Sequence, residues 1–428
     1  MTYRTFLGLC KQLAARGGII AFFIMAFEVM IMISPFAFFF YSVFNPVLHW
    51  LDSHWATRWL TGFFLPHMIL PPTPFLKAVR VLGSLLFIVG SLGFLTCAAQ
   101  VYLGKILKRG VASRGLYTSI RHPQYLTLGL WGVGMAILWP RFLVLASLSL
   151  MFILYYFLAK DEEQRMLAAF GDGYRGYMER TGMFLPRLIE RKLTGALPLP
   201  GSAAARHALV ALAIPVVVVG AGFTLREVTL RSLPYQTGAN VTLVSILPED
   251  DGLSRGALGA ILGQPGGGAR LAFLNPGKDY LGYVMPPDYV MQGMIADTGD
   301  SFHLHKQNHT FALIADWVLH PFEHLRRSPS AIMAEMNHAD PGLARMHHCP
   351  LGLRNQTAGC DACPYRRVVF VEVDHHGADR LSREGLFAFG ADRMPVGFAD
   401  IDTENGEIVN QKTVGKATAW RDVPTPAL

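Results

Sequence analysis

An apolar stretch from Leu126 to Ala159, interrupted only at Pro140-Arg141, leaves this chain little choice of fold. It is too poor in charge to form surface helices and too long for one crossing, so it folds back as a helical hairpin in a bilayer. A hairpin that enters and leaves a membrane returns both of its ends to one face. Both flanks are polar: RGLYTSIRHPQY (Arg114 to Tyr125) precedes the hairpin, and KDEEQRMLAAFGDGYRGYMERTGMFLP (Lys160 to Pro186) follows it. Arg121, His122 and Tyr125 are thereby brought back toward Glu162, Glu163 and Tyr174, and a compact polar site forms at a membrane surface. The first arm, Leu126 to Trp139, is short for a crossing at ~1.5 Å per residue. It must extend back through His122 and Pro123 or stay shallow. Proline suits the first helical turn, where its missing N–H is no loss.

The rest of the first half reads as further membrane crossings. The chain is 51% hydrophobic and only 16% charged, the balance of a membrane protein carrying a soluble part. Its net charge is +7. The basic residues flank apolar spans rather than clustering with aromatics, which points to topology and anionic lipid head groups and away from nucleic acid. Gly18 to Phe44 is apolar except for Glu28 and reads as an uncleaved first span that Pro35 can kink. Glu28 is either functional or held neutral or paired within the span. Val81 to Leu103 is the second span, followed by Lys105, Lys108 and Arg109. The two hairpin arms, Leu126 to Trp139 and Phe142 to Ala159, make four. After a Pro/Gly/Ala linker (Leu197 to Ala205), His207 to Thr224 makes five. The positive clusters set the N-terminus and the hairpin flanks in the cytoplasm, and five crossings then put everything after Leu225 outside it.

Two stretches between spans carry more specific expectations. Residues 45–80 combine prolines with Trp and His, which predicts a loop with an interfacial helix from His49 to Phe64. The spacing of His49, His54 and His67 fixes no metal site. Lys160 to Arg180 repeats Met166, Leu167, Phe170, Tyr174 and Tyr177 at intervals of three and four, which predicts an amphipathic helix along the cytoplasmic face, broken at Gly171-Asp172-Gly173.

The ordered set of RHPxY at Arg121 to Tyr125, an apolar hairpin, Glu162-Glu163, a Phe, Gly and Tyr cluster, then Phe-Leu-Pro resembles the isoprenylcysteine carboxyl methyltransferase and phospholipid methyltransferase superfamily of integral-membrane enzymes. Thr127 stands where that family commonly has a small glycine. The resemblance implies a transferase using S-adenosylmethionine, with Arg121, His122, Pro123, Tyr125, Glu162, Glu163 and Tyr174 around the cofactor. In physical terms, Arg121 or His122 suits a carboxylate, a glutamate suits an ammonium or ribose hydroxyls, and a tyrosine face suits adenine or a sulfonium. Arg121 and His122 are the candidate catalytic residues, His122 because its pKa near neutrality also suits a general base. The alternative is that Arg121 and His122 are interfacial anchors and the glutamates begin a solvated helix.

Beyond Leu225 the composition turns soluble. Val241 to Leu247, Arg366 to Val373 and Leu386 to Phe389 read as strands, and Gly397 to Thr413 as a hairpin turning at Asn405-Gly406. Thr310 to Leu319 and Ser330 to Met336 read as helices, giving an α+β domain. Ten of the fifteen histidines and three of the five cysteines fall in this half, densest in HHCPLGLRNQTAGCDACP. His348, Cys349, Cys360 and Cys363 form a candidate tetrahedral site for zinc or another transition metal. A Cys360–Cys363 disulfide or redox pair, and free buried thiols, remain open there. His320-Pro-Phe-Glu323-His324 matches a protease string, but Pro321 fits a helix only in its first turn.

The sequence thus predicts an α-helical polytopic membrane domain of about five spans followed by a soluble α+β domain. The divisions are 1–195 methyltransferase-like, 196–225 linker and fifth helix, and 226–428 His/Cys-rich. The expected function is an S-adenosylmethionine-dependent membrane methyltransferase acting on a lipid or small lipophilic acceptor, its partners being the bilayer, that acceptor and no nucleic acid. The alternative is a cell-envelope metal or redox handling protein in which the C-terminal domain does the main work, or recruits a protein partner.

Overall fold

The computed structural model describes residues 48–106, 114–195, 202–263, 271–298, 365–416 and 427–428, apart from 288, 290, 291, 294, 376, 378 and 404. The expected first span with Glu28, the helices at 310–319 and 330–336, the HxxEH string and the metal candidates His348, Cys349, Cys360 and Cys363 all lie outside the described residues. The described chain divides into two compact units, one of residues 79–224 and one of residues 48–78 with 225–428.

The first unit is helical. It is built on α1 (Pro74–Ile106), α2 (Pro123–Leu138), α3 (Phe142–Arg180), α4 (Arg187–Gly195) and α5 (Ala203–Ser232), of which α1 and α5 each run partly into the second unit. Among the described residues, three helical stretches are long and apolar enough to cross a membrane: Pro74–Val101, Phe142–Arg180 and Ala204–Ser232. The short arm α2 has 16 residues and begins at Pro123 in its first turn, so the helix does extend back to that proline. The count of five crossings is not reached among the described residues.

Glycines bring α1 and α2 together. A Cβ added at Gly90 would overlap the backbone of Trp131, and one at Gly134 the backbone of Phe87. Thr127 is accommodated because α1 offers a glycine opposite it: a Cβ at Gly93 would meet the Thr127 methyl. The expected separate surface helix from Lys160 to Arg180 is instead the continuation of α3. The break falls at Gly171, whose φ of 52° and ψ of −128° only glycine takes readily.

The second unit is a six-stranded sheet in sequential order: β1 (Tyr235–Gly238), β2 (Val241–Ser245), β3 (Asp279–Met285), β4 (Tyr365–Asp374), β5 (Asp392–Asp402) and β6 (Glu407–Thr413). All neighbours are antiparallel except β2 and β3, which run parallel because α6 (Asp251–Leu262) carries the chain across. One face packs Leu243, Tyr280, Phe370 and Ile401 with Ala257 and Ile261 of α6. The other face buries Val244, Tyr283, Val369 and Phe398, which are register partners across four strands. Beside them Arg367 makes a bidentate pair with Asp400 (2.7 and 3.1 Å), lies over the Phe398 ring and donates to Gln292.

The hairpin at Asn405-Gly406 forms as expected, with Asn405 donating to the Asp402 carboxylate and Gly406 at φ 69°. Leu386 to Phe389 is not a strand. Gly385–Phe387 is a 3-10 turn whose Leu386 and Phe387 are buried. Residues 62–70 also differ from the interfacial loop expected. Phe63, Phe64, Leu65, Met68 and Ile69 are buried, the amides of His67 and Met68 donate to the Leu428 carbonyl, and the Leu70 amide donates to Ile246. This segment is a strap in the core of the second unit. Its aromatic and aliphatic side chains are buried against protein.

Candidate active site

The polar loop before α2 is held by the strand-like segment after α3. The Arg121 amide donates to Gly182 and the His122 amide to Met183, at 2.8 and 3.1 Å, while the Gly182 amide donates back to Ser119. Only glycine fits at 182, because a Cβ there would overlap the Leu185 carbonyl and the Glu190 carboxylate. Tyr177 on α3 donates to the Tyr117 carbonyl at 2.6 Å and ties the same loop from the side. The two flanks of the hairpin are therefore stitched together by backbone before any site chemistry is considered.

The side chains then converge. Arg121 Nε donates to Glu163 Oε1 at 2.7 Å, and its Nη1 donates to the carbonyls of Met178 and Thr181. Glu163 also takes Lys160 Nζ at 3.3 Å. His122, capping α2, places Nδ1 3.2 Å from Glu162 Oε2 and Nε2 3.8 Å from Glu163 Oε1. The latter distance is too long for a hydrogen bond. His122 is 4% exposed and its Nε2 has no hydrogen-bond partner. Burial pushes the imidazole pKa down, but the carboxylates of Glu162 and Glu163 outweigh it and raise it above its ordinary value. The ring is thereby held toward its charged, donating form.

An aromatic wall continues from the histidine. His122 stacks on Tyr125 at 5.6 Å, and Tyr125 stacks on Tyr155 at 5.0 Å. Beyond these rings a cavity of about 590 Å³ opens between α2, α3 and α5, lined among others by Gly129, Phe184, Ile214 and Val217, with almost no polar surface. Charge sits at one end and an apolar chamber at the other.

Of the residues singled out from sequence, Arg121, His122, Tyr125, Glu162 and Glu163 come together here. Pro123 is buried in the first turn of α2, and Tyr174 is buried against Tyr177. Sequence reasoning missed Lys160, Tyr155 and Phe184. Lys160 lies one helical turn before Glu163, and Tyr155 two turns before it, so helical spacing from the carboxylate would have found both. Among the described residues no group of three or more His, Cys, Asp or Glu is arranged to hold a metal. His54 turns instead to the Trp50 carbonyl, and His67 stacks on Phe63.

A helical hairpin with a buried His–Glu–Arg cluster at its open end and an apolar chamber beneath defines an integral-membrane helical domain with an enzyme-like site. Residues 79–173, less than a quarter of the chain, match the phospholipid methyltransferase family. The match takes in most of α1, the hairpin and the Glu162-Glu163 pair. No curated protein and no solved structure matches the chain.

Proposed function

We propose that this domain is an S-adenosylmethionine-dependent methyltransferase whose acceptor is a lipid or small lipophilic molecule lodged in the apolar cavity. The observation that carries the reading is the buried His122 ring, whose Nε2 has no hydrogen-bond partner, whose Nδ1 lies 3.2 Å from Glu162 and which stacks on Tyr125, a residue lining the apolar cavity. The donor set fits the cofactor. His122 binds its carboxylate, Glu162, which is partly exposed, accepts from its ammonium or ribose hydroxyls, and Tyr125 and Tyr155 offer ring faces to cationic or aromatic parts. When bound, S-adenosylmethionine supplies an electrophilic methyl group. Everything else is positioning beside an apolar cavity that can seat a lipophilic acceptor.

Arg121 takes a different role from the one its sequence context suggests. Its Nε and Nη1 are engaged by Glu163 and two carbonyls, so it is a positioning residue that fixes Glu163 and the loop carrying His122. An imidazole pKa raised by Glu162 and Glu163 also favours anion binding over general-base work. The cytoplasmic placement of the site rests on the Lys105, Lys108 and Arg109 cluster.

Calorimetric titration of S-adenosylmethionine into detergent-purified protein tests the reading. Micromolar binding that is lost in His122→Ala and weakened in Glu162→Ala, with folding intact, is the expected result. Absence of binding to well-folded wild-type protein would overturn it.

A further inference from the structure

The strap that holds the His122 loop is itself held from outside, by α4. The Glu190 carboxylate accepts the Met183 amide at 2.5 Å, and the Met183 carbonyl in turn accepts the His122 amide. At about 100° per residue, the side of α4 opposite Glu190 carries Leu188 and Lys192, flanked by Ile189 and Arg191. Leu188 is 79% exposed and Ile189 50%. Arg187, Arg191 and Lys192 are exposed as well. Glu190 is the one acid from Arg187 to Lys192, and it is turned inward onto Met183.

A leucine this exposed, set among cations, is poorly suited to water and well suited to a bilayer interface. There the apolar side chains enter the acyl boundary, while lysine and arginine stems lie along it and reach the head groups. Chain continuity supplies the location. α4 begins shortly after α3 ends and is followed by α5, and both of those are apolar enough to cross a membrane.

We propose that α4 docks on an anionic lipid surface through Leu188, Ile189, Arg191 and Lys192, and that docking steadies the Gly182–Phe184 strap on which the His122 loop hangs. The occupant is a leaflet bearing anionic head groups, because the face is cationic and apolar together and its only acid points away. Lipid charge is thereby linked to the order of the site through two consecutive bonds, Glu190 to Met183 and Met183 to His122. The inference does not depend on methyl transfer.

Amide hydrogen exchange on the full chain in nanodiscs tests it, comparing phosphatidylcholine alone with an equal mixture of phosphatidylcholine and phosphatidylglycerol. Amides from Met183 to Lys192 are expected to exchange about tenfold more slowly in the mixed discs, with the gain lost at high salt. The double variant Arg191→Glu, Lys192→Glu is expected to abolish the gain and Leu188→Ser to weaken it. Leu188 is too exposed for that second change to disturb folding. Equal exchange in both discs, or a gain that survives charge reversal, would overturn the proposal. Equal protection in phosphatidylcholine discs on adding soluble polyglutamate would also overturn it, assigning the face to an acidic protein. Cofactor binding is not part of the readout, so failure here and failure of the methyltransferase reading are separate results.

Discussion

Arg121 Nε and Glu163 Oε1 lie 2.7 Å apart although 42 positions separate them, and both side chains are more than nine-tenths buried. The pair closes the hairpin at its polar end. Removing the Glu163 carboxylate leaves Arg121 buried without its charge partner and frees Lys160 and His122 from their shared anion. Glu163→Ala is expected to cost on the order of 3–5 kcal/mol, the usual penalty for stranding one member of a buried pair. Lys160→Ala, whose side chain is 39% exposed, should cost under about 1 kcal/mol. Thermal midpoints in detergent check the order, and equal midpoints would remove Glu163 from the centre of the cluster.

His122 predicts a pH dependence of definite sign. Its folded pKa is raised by Glu162 and Glu163 above the ordinary value of about 6.5. The stability it contributes is therefore fully present below about pH 6.5 and is lost as pH rises through the higher folded value. Glu162→Gln removes one of the two raising carboxylates, so the contribution should be smaller and its loss complete at lower pH. The measurement is the thermal midpoint from about pH 6 to 9, wild type beside Glu162→Gln and His122→Gln. A wild-type profile as flat as that of His122→Gln would contradict the assignment.

The hairpin and its site were legible in the sequence because topology alone brings the flanks of a hairpin together. Arg121, His122, Glu162 and Glu163 follow from that argument without knowledge of packing. The strap at 62–70 was not legible, since Phe63-Phe64-Leu65 and Met68-Ile69 satisfy a bilayer interface and a protein core equally well. Partners distant in sequence, Ile246 and Leu428, decided the matter. β3 escaped notice because Gly282 sits mid-strand, and α6 because three glycines dilute its helical pattern. The reverse error at Leu386 to Phe389 has the same root: a short apolar run carries no period long enough to separate strand from turn.

Glycines at the α1–α2 contact give a packing prediction. Gly134 faces the backbone of Phe87, and a side chain there has no flexible neighbour to displace. Gly134→Val is expected to destabilise by about 1–3 kcal/mol or more through overpacking. Gly173→Val, at a helical position with nothing within 4 Å, should be close to neutral, because valine is no poorer a helix former than glycine. If detergent unfolding placed the two variants together, the close approach of α1 and α2 would not stand.

The strap at 62–70 makes an opposite prediction to an interfacial loop. Ile69 is fully buried among residues of the second unit, and its neighbour Leu70 donates to Ile246 just past the end of β2. Ile69→Ala should therefore cost about 2–5 kcal/mol, as large-to-small changes in cores do. Trp55, 84% exposed, is the contrasting site, and Trp55→Ala should move stability by no more than about 0.5 kcal/mol. Exchange rates of the β2 amides Val241 to Ser245 report the difference directly, because opening the sheet requires losing the strap beside it. Were 62–70 instead seated in lipid, Ile69→Ala would leave β2 exchange unchanged and Trp55→Ala, at a membrane interface, would carry the larger effect on bilayer association.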